Sequence, residues 1–340
     1  MSDKYFELAS LNTYLQTALP EVGTITSVEK FSGGQSNPTF KLTTDKGHFV
    51  LRSKPPGKLL KSAHAVDREY RVLKSLENTD VPVPRALHLC EDDSVTGSMF
   101  YIMSFVEGRI FWDPTVPKVT SEQRTAIYHQ MNQVLAAIHN VDLDAVGLGD
   151  YGPTGNYYER QFSRWSKQYR ASETETIDEM ETLLRWLESN MIEDDGRVSL
   201  VHGDYRIDNL FFAPGSDNIV AVMDWELSTL GHPFADLAYQ CMLWRWKDNP
   251  ILKGLGDADL PGLGIPTEEE YIRQYCERMG IDSIPNWNFH IAFGAFRLAA
   301  ITQGVLKRAL DGNASSKQAM LVGSLTRPLA QLGVDATNRN

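Results

Sequence analysis

The chain has 340 residues, of which 42% are hydrophobic and 23% are charged, so disorder, collagen and coiled coil are excluded as its main architecture. Its 33 basic residues against 44 acidic ones give a net charge of −11, which disfavours nucleic acid and anionic membrane surfaces as partners. At roughly 150 residues per domain, this length predicts two lobes.

The cysteines and the N-terminus predict a cytoplasmic protein. Cys90, Cys241 and Cys276 are far apart and follow no metal-ligand spacing, which disfavours disulfides and structural zinc. The first 20 residues lack the basic and apolar segments of a secretory signal. No run approaches the ~20 apolar residues that span a bilayer, so we expect no membrane partner. No sequence feature indicates the oligomeric state.

The first part of the chain predicts a small antiparallel sheet that is interrupted by one helix. Strands are predicted over Ile25–Phe31, Thr39–Thr43, His48–Arg52, Ala86–Cys90 and Ser98–Phe105. The helix is predicted over Ser62–Leu76 and is followed by Pro82 and Pro84, which prevent its continuation.

The rest of the chain predicts long helices around a short group of strands. One helix covers Ser121–His139 behind a Thr120…Gln123 capping box, and Thr176…Glu179 and Thr267…Glu270 repeat that start signal. Short strands are predicted over Val198–Val201, Leu210–Phe212 and Ile219–Met223, and two last helices over Trp287–Leu310 and Ser316–Leu332. The sequence therefore predicts an α+β fold with an antiparallel β lobe over residues 1–106 and a mainly helical lobe over residues 107–340.

The strongest candidates for functional residues lie at and beside one predicted hairpin. Leu210–Phe212 and Ile219–Met223 are joined by a Pro-Gly-Ser-Asp turn, so Asn209 and Asp224 should flank the open end of the hairpin, with Asp204 one loop away. Amide and carboxylate oxygens suit Mg²⁺ when phosphate oxygens complete its shell. The alternative is that these side chains only cap loops and strand ends. The apolar strands beside them weigh against it, because a carboxylate next to a core needs a partner or a metal.

The motif His202-Gly203-Asp204…Asn209 with Asp224 resembles the aminoglycoside phosphotransferase and choline kinase-like superfamily, which is related to the protein kinases. The segments 31–40, 49–52, 67–70 and 231–238 follow the same family pattern in the same order, so the resemblance covers about residues 25–310. It is closest to the subgroup that is found fused to acyl-CoA dehydrogenases. The resemblance implies a bilobal protein-kinase-like fold and a kinase that uses ATP and Mg²⁺ to phosphorylate a small-molecule hydroxyl acceptor.

The resemblance also implies roles for single residues. Asp204 is expected to be catalytic, and Asn209 and Asp224 are expected to bind the metal. The nucleotide is expected to contact Gly33, Gly34 and Ser36, whose loop can turn backbone N–H groups towards phosphates, and the backbone of Met103 and Phe105. Without the other motifs, the glycine loop would be an ordinary hairpin turn. For residues 103–106, a plain interlobe linker is the alternative that the sequence leaves open.

Glu69 lies on or beside the apolar face of the predicted helix, where a carboxylate requires a cation. Kinases pair such a Glu with a strand Lys, and the matching residue here is Arg52, with Lys54 two positions later. The alternative is a surface ion pair of Glu69 with Arg68, Arg71 or Lys74. Asp236 resembles the acidic residue that braces the catalytic loop, or it is a helix N-cap.

Two other functions compete with the kinase. A pseudokinase-like nucleotide sensor would explain Arg52 in place of Lys, and a metal-dependent phosphohydrolase would use Asp204, Asp208 and Asp224. A protein kinase is disfavoured because the Asp-Phe-Gly stretch is missing. The acceptor side is expected to include Tyr157, Tyr158, Trp165, Trp244, Arg245 and Trp246, unless these form ordinary core. The resemblance to the subgroup implies a hydroxyacyl-CoA or a similar hydroxyl compound as the acceptor.

Overall fold

The computed structural model describes residues 6–31, 37–55, 65–312 and 318–339. It consists of two compact units. The first comprises Met1–Arg109, Val146–Leu148 and Leu210–Leu227, and the second comprises Ile110–Ala145, Gly149–Asn209 and Ser228–Asn340. The sequence-based boundary at residue 106 stays a prediction, and the segment Leu210–Leu227 belongs to the first unit.

The strands lie close to their predicted positions. They are β1 (Ile25–Lys30), β2 (Thr39–Thr44), β3 (Gly47–Ser53), β4 (Ala86–Cys90), β5 (Phe100–Ser104), β6 (Ser199–Val201), β7 (Leu210–Phe212), β8 (Ile219–Val222) and β9 (Thr229–Gly231). The first five form one antiparallel sheet in the order β1-β2-β3-β5-β4. The predicted hairpin is confirmed as the antiparallel pair β7–β8, and β6 pairs with β9.

The helices are α1 (Leu8–Ala18), α2 (Val66–Leu76), α3 (Ser121–His139), α4 (Tyr157–Ser172), α5 (Asp178–Ser189), α6 (Pro233–Arg245), α7 (Leu260–Leu263), α8 (Glu268–Met279), α9 (Trp287–Leu310), α10 (Ala319–Gly323) and α11 (Thr326–Thr337). The capping boxes at Thr120 and Thr267 form as predicted. Of the predicted start of α2, residues 62–64 lie outside the described residues. The antiparallel N-terminal sheet and the helical remainder confirm the α+β class.

The five-stranded sheet of the first unit is covered on both faces. Alternate side chains of β5 point to opposite faces of the sheet. Phe100 and Ile102 join the core under α1, where Leu11 and Leu15 are buried. Tyr101 points the other way and reaches α2, where its hydroxyl donates to Glu69. The sheet therefore fixes α2, and with it Glu69, against the face that also carries Arg52.

The second unit is built around α9, which packs against α4, α5, α6, α10 and α11. By length and composition α9 could cross a membrane, although the sequence analysis predicted no such segment. However, 78% of its most apolar 18-residue window is buried inside the structure. This burial is typical of the core helix of a soluble protein.

Two predicted helix boundaries are wrong. Thr176 does not cap α5, because the buried Ile177 takes the N-cap position and no side chain caps this end. The predicted helix Ser316–Leu332 is two helices, α10 and α11, and residues 316–317 lie outside the described residues. Pro328 has no N–H to donate to the carbonyl of Ser324, so the break falls there and the proline lies in the first turn of α11.

Candidate active site

The backbone of the loop between β6 and β7 is held by a buried carboxylate of α6. Asp236 accepts hydrogen bonds from the backbone N–H groups of His202, at 2.5 Å, and Gly203, at 2.8 Å. Gly203 has a φ of 84°, which a side chain would strain, so the glycine allows the chain to turn over this carboxylate. The bracing role considered for Asp236 is thus present, and the N-cap of α6 is His232, which accepts from the N–H of Phe234.

The carboxylate of Asp236 is itself held in the charged form. His139 Nε2 lies 3.4 Å from it, and the other ring nitrogen of His139 lies 2.6 Å from the hydroxyl of Tyr275. Burial disfavours the charge of Asp236, but His139 and the N–H of Gly203 outweigh burial and lower the pKa of this carboxyl. The loop therefore rests on a buried anion with several hydrogen-bond partners.

Asp204 and Asn209 come together within this loop. The amide nitrogen of Asn209 donates to the backbone oxygen of Asp204 at 2.9 Å and to its Oδ2 at 3.1 Å. The other carboxylate oxygen, Oδ1, accepts from the hydroxyl of Tyr239 at 2.6 Å. Because the amide nitrogen faces Asp204, the amide oxygen of Asn209 points away from that carboxylate, as a metal ligand would require.

Asp208, the third carboxylate of the loop region, is already paired. Nε and Nη2 of Arg206 donate to its two oxygens at 3.1 and 2.9 Å. Although burial disfavours the charge of Arg206, Tyr239 and the carboxylates of Asp208 and Asp204 raise its pKa. This bidentate pairing weighs against Asp208 as a ligand in a phosphohydrolase.

In the first unit the predicted ion pair between α2 and β3 forms. Nε of Arg52 lies 2.7 Å from Oε2 of Glu69, as an ion pair without a hydrogen bond. Asn37 and Tyr101 donate to the same carboxylate at 2.6 and 3.1 Å. Burial raises the pKa of Glu69, and Arg52 opposes this. Glu69 is 2% exposed, so it does not form a surface ion pair, and Lys54 lies beside Asp67 instead.

Asp224 follows β8 and has a left-handed backbone with a φ of 65°, which is uncommon outside glycine. Its Oδ1 accepts from Nη2 of Arg52 at 2.8 Å, and its side chain is 38% exposed. Strained backbone of this kind persists where the surrounding structure enforces it, and it is frequent at functional sites. The hairpin register pairs Leu210 with Val222, so the chain enters β7 and leaves β8 at the same end of the hairpin.

The remaining nucleotide-contact predictions lie at the sheet. Gly33, Gly34 and Ser36 fall outside the described residues. Met103 is buried within β5 and is paired with Val50 and Ala86 on either side. Phe105 follows the end of this strand, and its ring packs against Lys41 and His48. The nucleotide roles of all these residues stay predictions.

Most of the aromatic residues predicted on the acceptor side are core. Tyr157, Tyr158, Trp165, Trp244 and Trp246 are all buried, and Arg245 is bound by Glu268. Trp246 lines two cavities of the second unit, Arg245 lines one of these, and Tyr157 and Tyr158 line a third cavity. The ordinary-core interpretation therefore describes the burial of these aromatic side chains, several of which also line the edge of a cavity.

One cavity lies directly beside the loop that carries Asp204. It has a volume of about 30 Å³, with Tyr239 and Arg206 at its polar side and otherwise mainly apolar walls. The apolar walls are formed by Met242, Leu243, Trp246, Leu252, Leu298, Leu329 and Leu332. A larger cavity of about 300 Å³ shares Trp246 and Leu332 with it and includes three cations, Arg245, Lys247 and Arg339, and two anions, Asp248 and Asp335.

Sequence reasoning missed Tyr239 and Arg297. Tyr239 lies three residues after Asp236 in α6, so both side chains face the same loop, and this spacing was the available signal. Arg297 is a buried charge in the apolar helix α9, and its Nη2 donates to the backbone oxygen of Gly203 at 2.7 Å. A buried arginine without an acidic neighbour in the sequence gives no indication of its partner.

An antiparallel N-terminal sheet, a helical remainder and a braced Asp-x4-Asn loop define a protein-kinase-like phosphotransferase. The sequence model of the phosphotransferase enzyme family (APH) matches residues 27–271, so the chain belongs to this family. The resemblance found from the motifs is thereby confirmed.

Curated relatives include acyl-CoA dehydrogenases. The chain is 51% identical over 307 residues to acyl-CoA dehydrogenase family member 10 of Mus musculus, with 90% of this chain and 29% of the relative covered. It is 42% identical over 339 residues to acyl-CoA dehydrogenase family member 11 of Rattus norvegicus, with 98% and 44% covered. The chain thus spans less than half the length of these relatives.

Solved structures support the fold. A candidate aminoglycoside phosphotransferase from Ralstonia eutropha JMP134 superposes with a TM-score of 0.89 at 47% identity, covering 97% of this chain and 98% of that one. A mutant of the aminoglycoside phosphotransferase APH(4)-Ia, in ternary complex with AMP-PNP and hygromycin B, gives a TM-score of 0.64 at 14% identity, covering 97% and 99%. At this low identity the second likeness shows the fold alone.

Proposed function

We propose that the chain is an ATP- and Mg²⁺-dependent kinase that transfers the γ-phosphoryl group to a hydroxyl of a small molecule. The observation that carries this proposal is the hydrogen bonding of one loop. Asn209 donates to Asp204, and Asp236 accepts from the backbone N–H groups of the two residues before Asp204. Phosphoryl transfer depends mostly on positioning and charge neutralisation, and a loop fixed in this way supplies positioning.

In the proposed reaction Asp204 receives the proton of the acceptor hydroxyl. The hydroxyl oxygen forms a bond to the γ-phosphorus, the bond from that phosphorus to the β–γ bridging oxygen breaks, and ADP leaves. Arg52, fixed by Glu69, would contact the phosphates of the nucleotide, and the backbone at Phe105 or Met103 would face its base. The loop with Gly33, Gly34 and Ser36 would complete the phosphate contacts.

The donor set fits Mg²⁺. Asn209 and Asp224 would each supply one oxygen ligand, and no group of three or more acidic, His or Cys side chains in the described ranges could hold a metal alone. A pair of protein oxygens suits a Mg²⁺ that arrives with nucleotide phosphates. When bound, the ion supplies positive charge at the β and γ phosphates.

For the acceptor we propose a hydroxyacyl-CoA or a similar compound with an apolar chain. The small cavity beside Tyr239 has mostly apolar walls and a cation, Arg206, which disfavours a polycationic aminoglycoside. The larger cavity contains Lys247 and Arg339 beside Asp248 and Asp335, and we propose that its cations pair with an anionic part of the acceptor. The names of the curated relatives, which are acyl-CoA dehydrogenases, point in the same direction.

The test is an acceptor screen by mass spectrometry with ATP and Mg²⁺. The panel contains hydroxyacyl-CoAs, aminoglycosides, choline, homoserine and simple sugars. We expect one phosphoryl group to be added to a hydroxyacyl-CoA, with a large loss of product in Asp204→Asn and Asp224→Ala. Asp208→Asn is the matched control, since Asp208 neighbours the site but is bound by Arg206.

Three outcomes would contradict the proposal. Near-normal turnover in Asp204→Asn or Asp224→Ala would refute the assigned roles. Confirmed nucleotide binding without phosphorylation of any compound would favour a nucleotide sensor, and metal-dependent hydrolysis of phosphate esters without ATP would favour a phosphohydrolase. Phosphorylation of an aminoglycoside, choline, homoserine or sugar instead would keep the kinase and overturn only the acceptor.

A further inference from the structure

Tyr239 makes a short contact with the proposed catalytic carboxylate. Its hydroxyl lies 2.6 Å from Oδ1 of Asp204, while Asn209 occupies Oδ2 at 3.1 Å. Burial and the neighbouring carboxylate raise the pKa of Tyr239, so its hydroxyl keeps its proton and acts as the donor. Each carboxylate oxygen thus has one donor from the protein and retains a further acceptor position.

Arg297 holds Tyr239 and the loop backbone together. Its guanidinium donates to the backbone oxygen of Gly203 at 2.7 Å and lies 5.8 Å from the centre of the Tyr239 ring. The ring of Trp165 lies 6.0 Å from the same guanidinium. A cation that contacts aromatic rings in this way is attracted by their faces. Helix α9 therefore restrains both the phenol ring and the residue that precedes Asp204.

We propose that Tyr239 is a positioning residue that fixes the orientation of the Asp204 carboxylate for the acceptor hydroxyl, a role that rests on the proposed kinase function. A free aspartate side chain rotates about two bonds, and a second donor from a different helix restricts this rotation. Asn209 holds one carboxylate oxygen from within the loop, and Tyr239 holds the other from helix α6. Displacements of about 1 Å at a reacting group can cost on the order of 100-fold in rate.

The test compares Tyr239→Phe with Tyr271→Phe. Tyr271 is the matched control, because its buried hydroxyl donates at 2.9 Å to Gln240, the neighbour of Tyr239 in α6, and not to Asp204. The activity is ADP release from Mg-ATP with water as the acceptor. We expect kcat to fall about 10- to 100-fold in Tyr239→Phe with KM for ATP changed less than about twofold. In Tyr271→Phe both constants should stay within about twofold of wild type.

A double-variant cycle separates positioning from general loosening of the structure. If Tyr239 acts through Asp204, adding Tyr239→Phe to Asp204→Asn should reduce kcat no further. An equal additional loss in the Asp204→Asn background would overturn the proposal, as would wild-type kcat in Tyr239→Phe.

Crystal structures of the wild type and of Tyr239→Phe decide the question independently of turnover. In the wild type we expect a single orientation of the Asp204 carboxylate. In the variant we expect the carboxylate to be rotated or to occupy more than one orientation. An unchanged carboxylate in the variant would overturn the positioning role. If the wild type releases no ADP and phosphorylates no compound, the proposed function fails, and these two structures still test whether Tyr239 fixes Asp204.

Discussion

Nη2 of Arg52 lies 2.8 Å from Oδ1 of Asp224, although the two residues are 172 positions apart in the chain. Nε of the same guanidinium lies 2.7 Å from Glu69, so one side chain joins two carboxylates of the first unit. The single nitrogen of a lysine could not be shared in this way, whereas the planar fork of an arginine presents separate nitrogens to each. This geometry gives a physical reason for Arg52 at a position where kinases usually have lysine.

Removing this guanidinium should destabilise the protein strongly. Arg52→Met leaves Glu69 buried with only neutral donors, and an unpaired buried charge costs about 3–5 kcal/mol in the free energy of unfolding. Arg52→Lys should lose less, because an ammonium can still reach one carboxylate. Urea unfolding measures both. Lys54→Met is the control, since Lys54 and Asp67 form a partly exposed pair at 3.7 Å, worth about 1 kcal/mol or less. A loss below about 1 kcal/mol in Arg52→Met would contradict the role of this ion pair.

The helix starts offer a test with an internal control. Thr120 and Thr267 each accept the N–H three residues later, so Thr120→Ala and Thr267→Ala should each lower the free energy of unfolding by about 1 kcal/mol. Thr176→Ala should have almost no effect, although Thr176…Glu179 has the same spacing, because Ile177 is the N-cap of α5. A loss for Thr176→Ala equal to the other two in chemical denaturation would refute this assignment.

The sequence predicts what depends on local patterns. Short strand-like runs joined by turns located β1 to β5, and the Thr120…Gln123 capping box located the start of α3. Glu69 could be assigned to a buried ion pair because a charged residue on an apolar helix face needs a partner, and Arg52 at the end of β3 matched the strand cation of the kinases.

What could not be predicted depends on tertiary contacts. The left-handed backbone of Asp224 and its bond to Arg52 arise only after the β7–β8 hairpin joins the first unit. Arg297 lies in the apolar helix α9, where a single polar residue has no characteristic spacing, and the contact of Tyr239 with Asp204 depends on how α6 packs against the loop. The aromatic residues from Tyr157 to Trp246 resembled a ligand wall because core and binding surfaces share the same composition.

Asp208 provides a discriminating variant for the chemistry. Since Arg206 binds both of its oxygens, Asp208→Asn should retain phosphotransfer within about threefold and lose roughly 1 kcal/mol of stability. A phosphohydrolase that used Asp208 as a metal ligand would instead lose most of its turnover. Steady-state kinetics of Asp208→Asn beside Asp204→Asn, together with urea unfolding of both, distinguishes these cases.

His290 should make the stability of the protein depend on pH. Its ring nitrogens face the hydroxyl of Tyr158 at 2.6 Å and the backbone oxygen of Pro285 at 3.1 Å. Burial, together with the neighbouring His232, lowers the pKa of His290 from 6.5 to about 3. Between these two values the unfolded chain binds a proton that the folded protein does not bind, so stability falls as the pH falls.

The contribution of His290 can be isolated by comparing slopes. Plots of the free energy of unfolding against pH between 6 and 4 should be steeper for the wild type than for His290→Gln by about 1.4 kcal/mol per pH unit, which corresponds to one proton. Glutamine can keep a donor and an acceptor in place but does not titrate in this range. Urea unfolding at several pH values supplies both slopes. Parallel slopes would mean that the folded protein protonates His290 as readily as the unfolded chain does, which is incompatible with a neutral imidazole held between Tyr158 and Pro285.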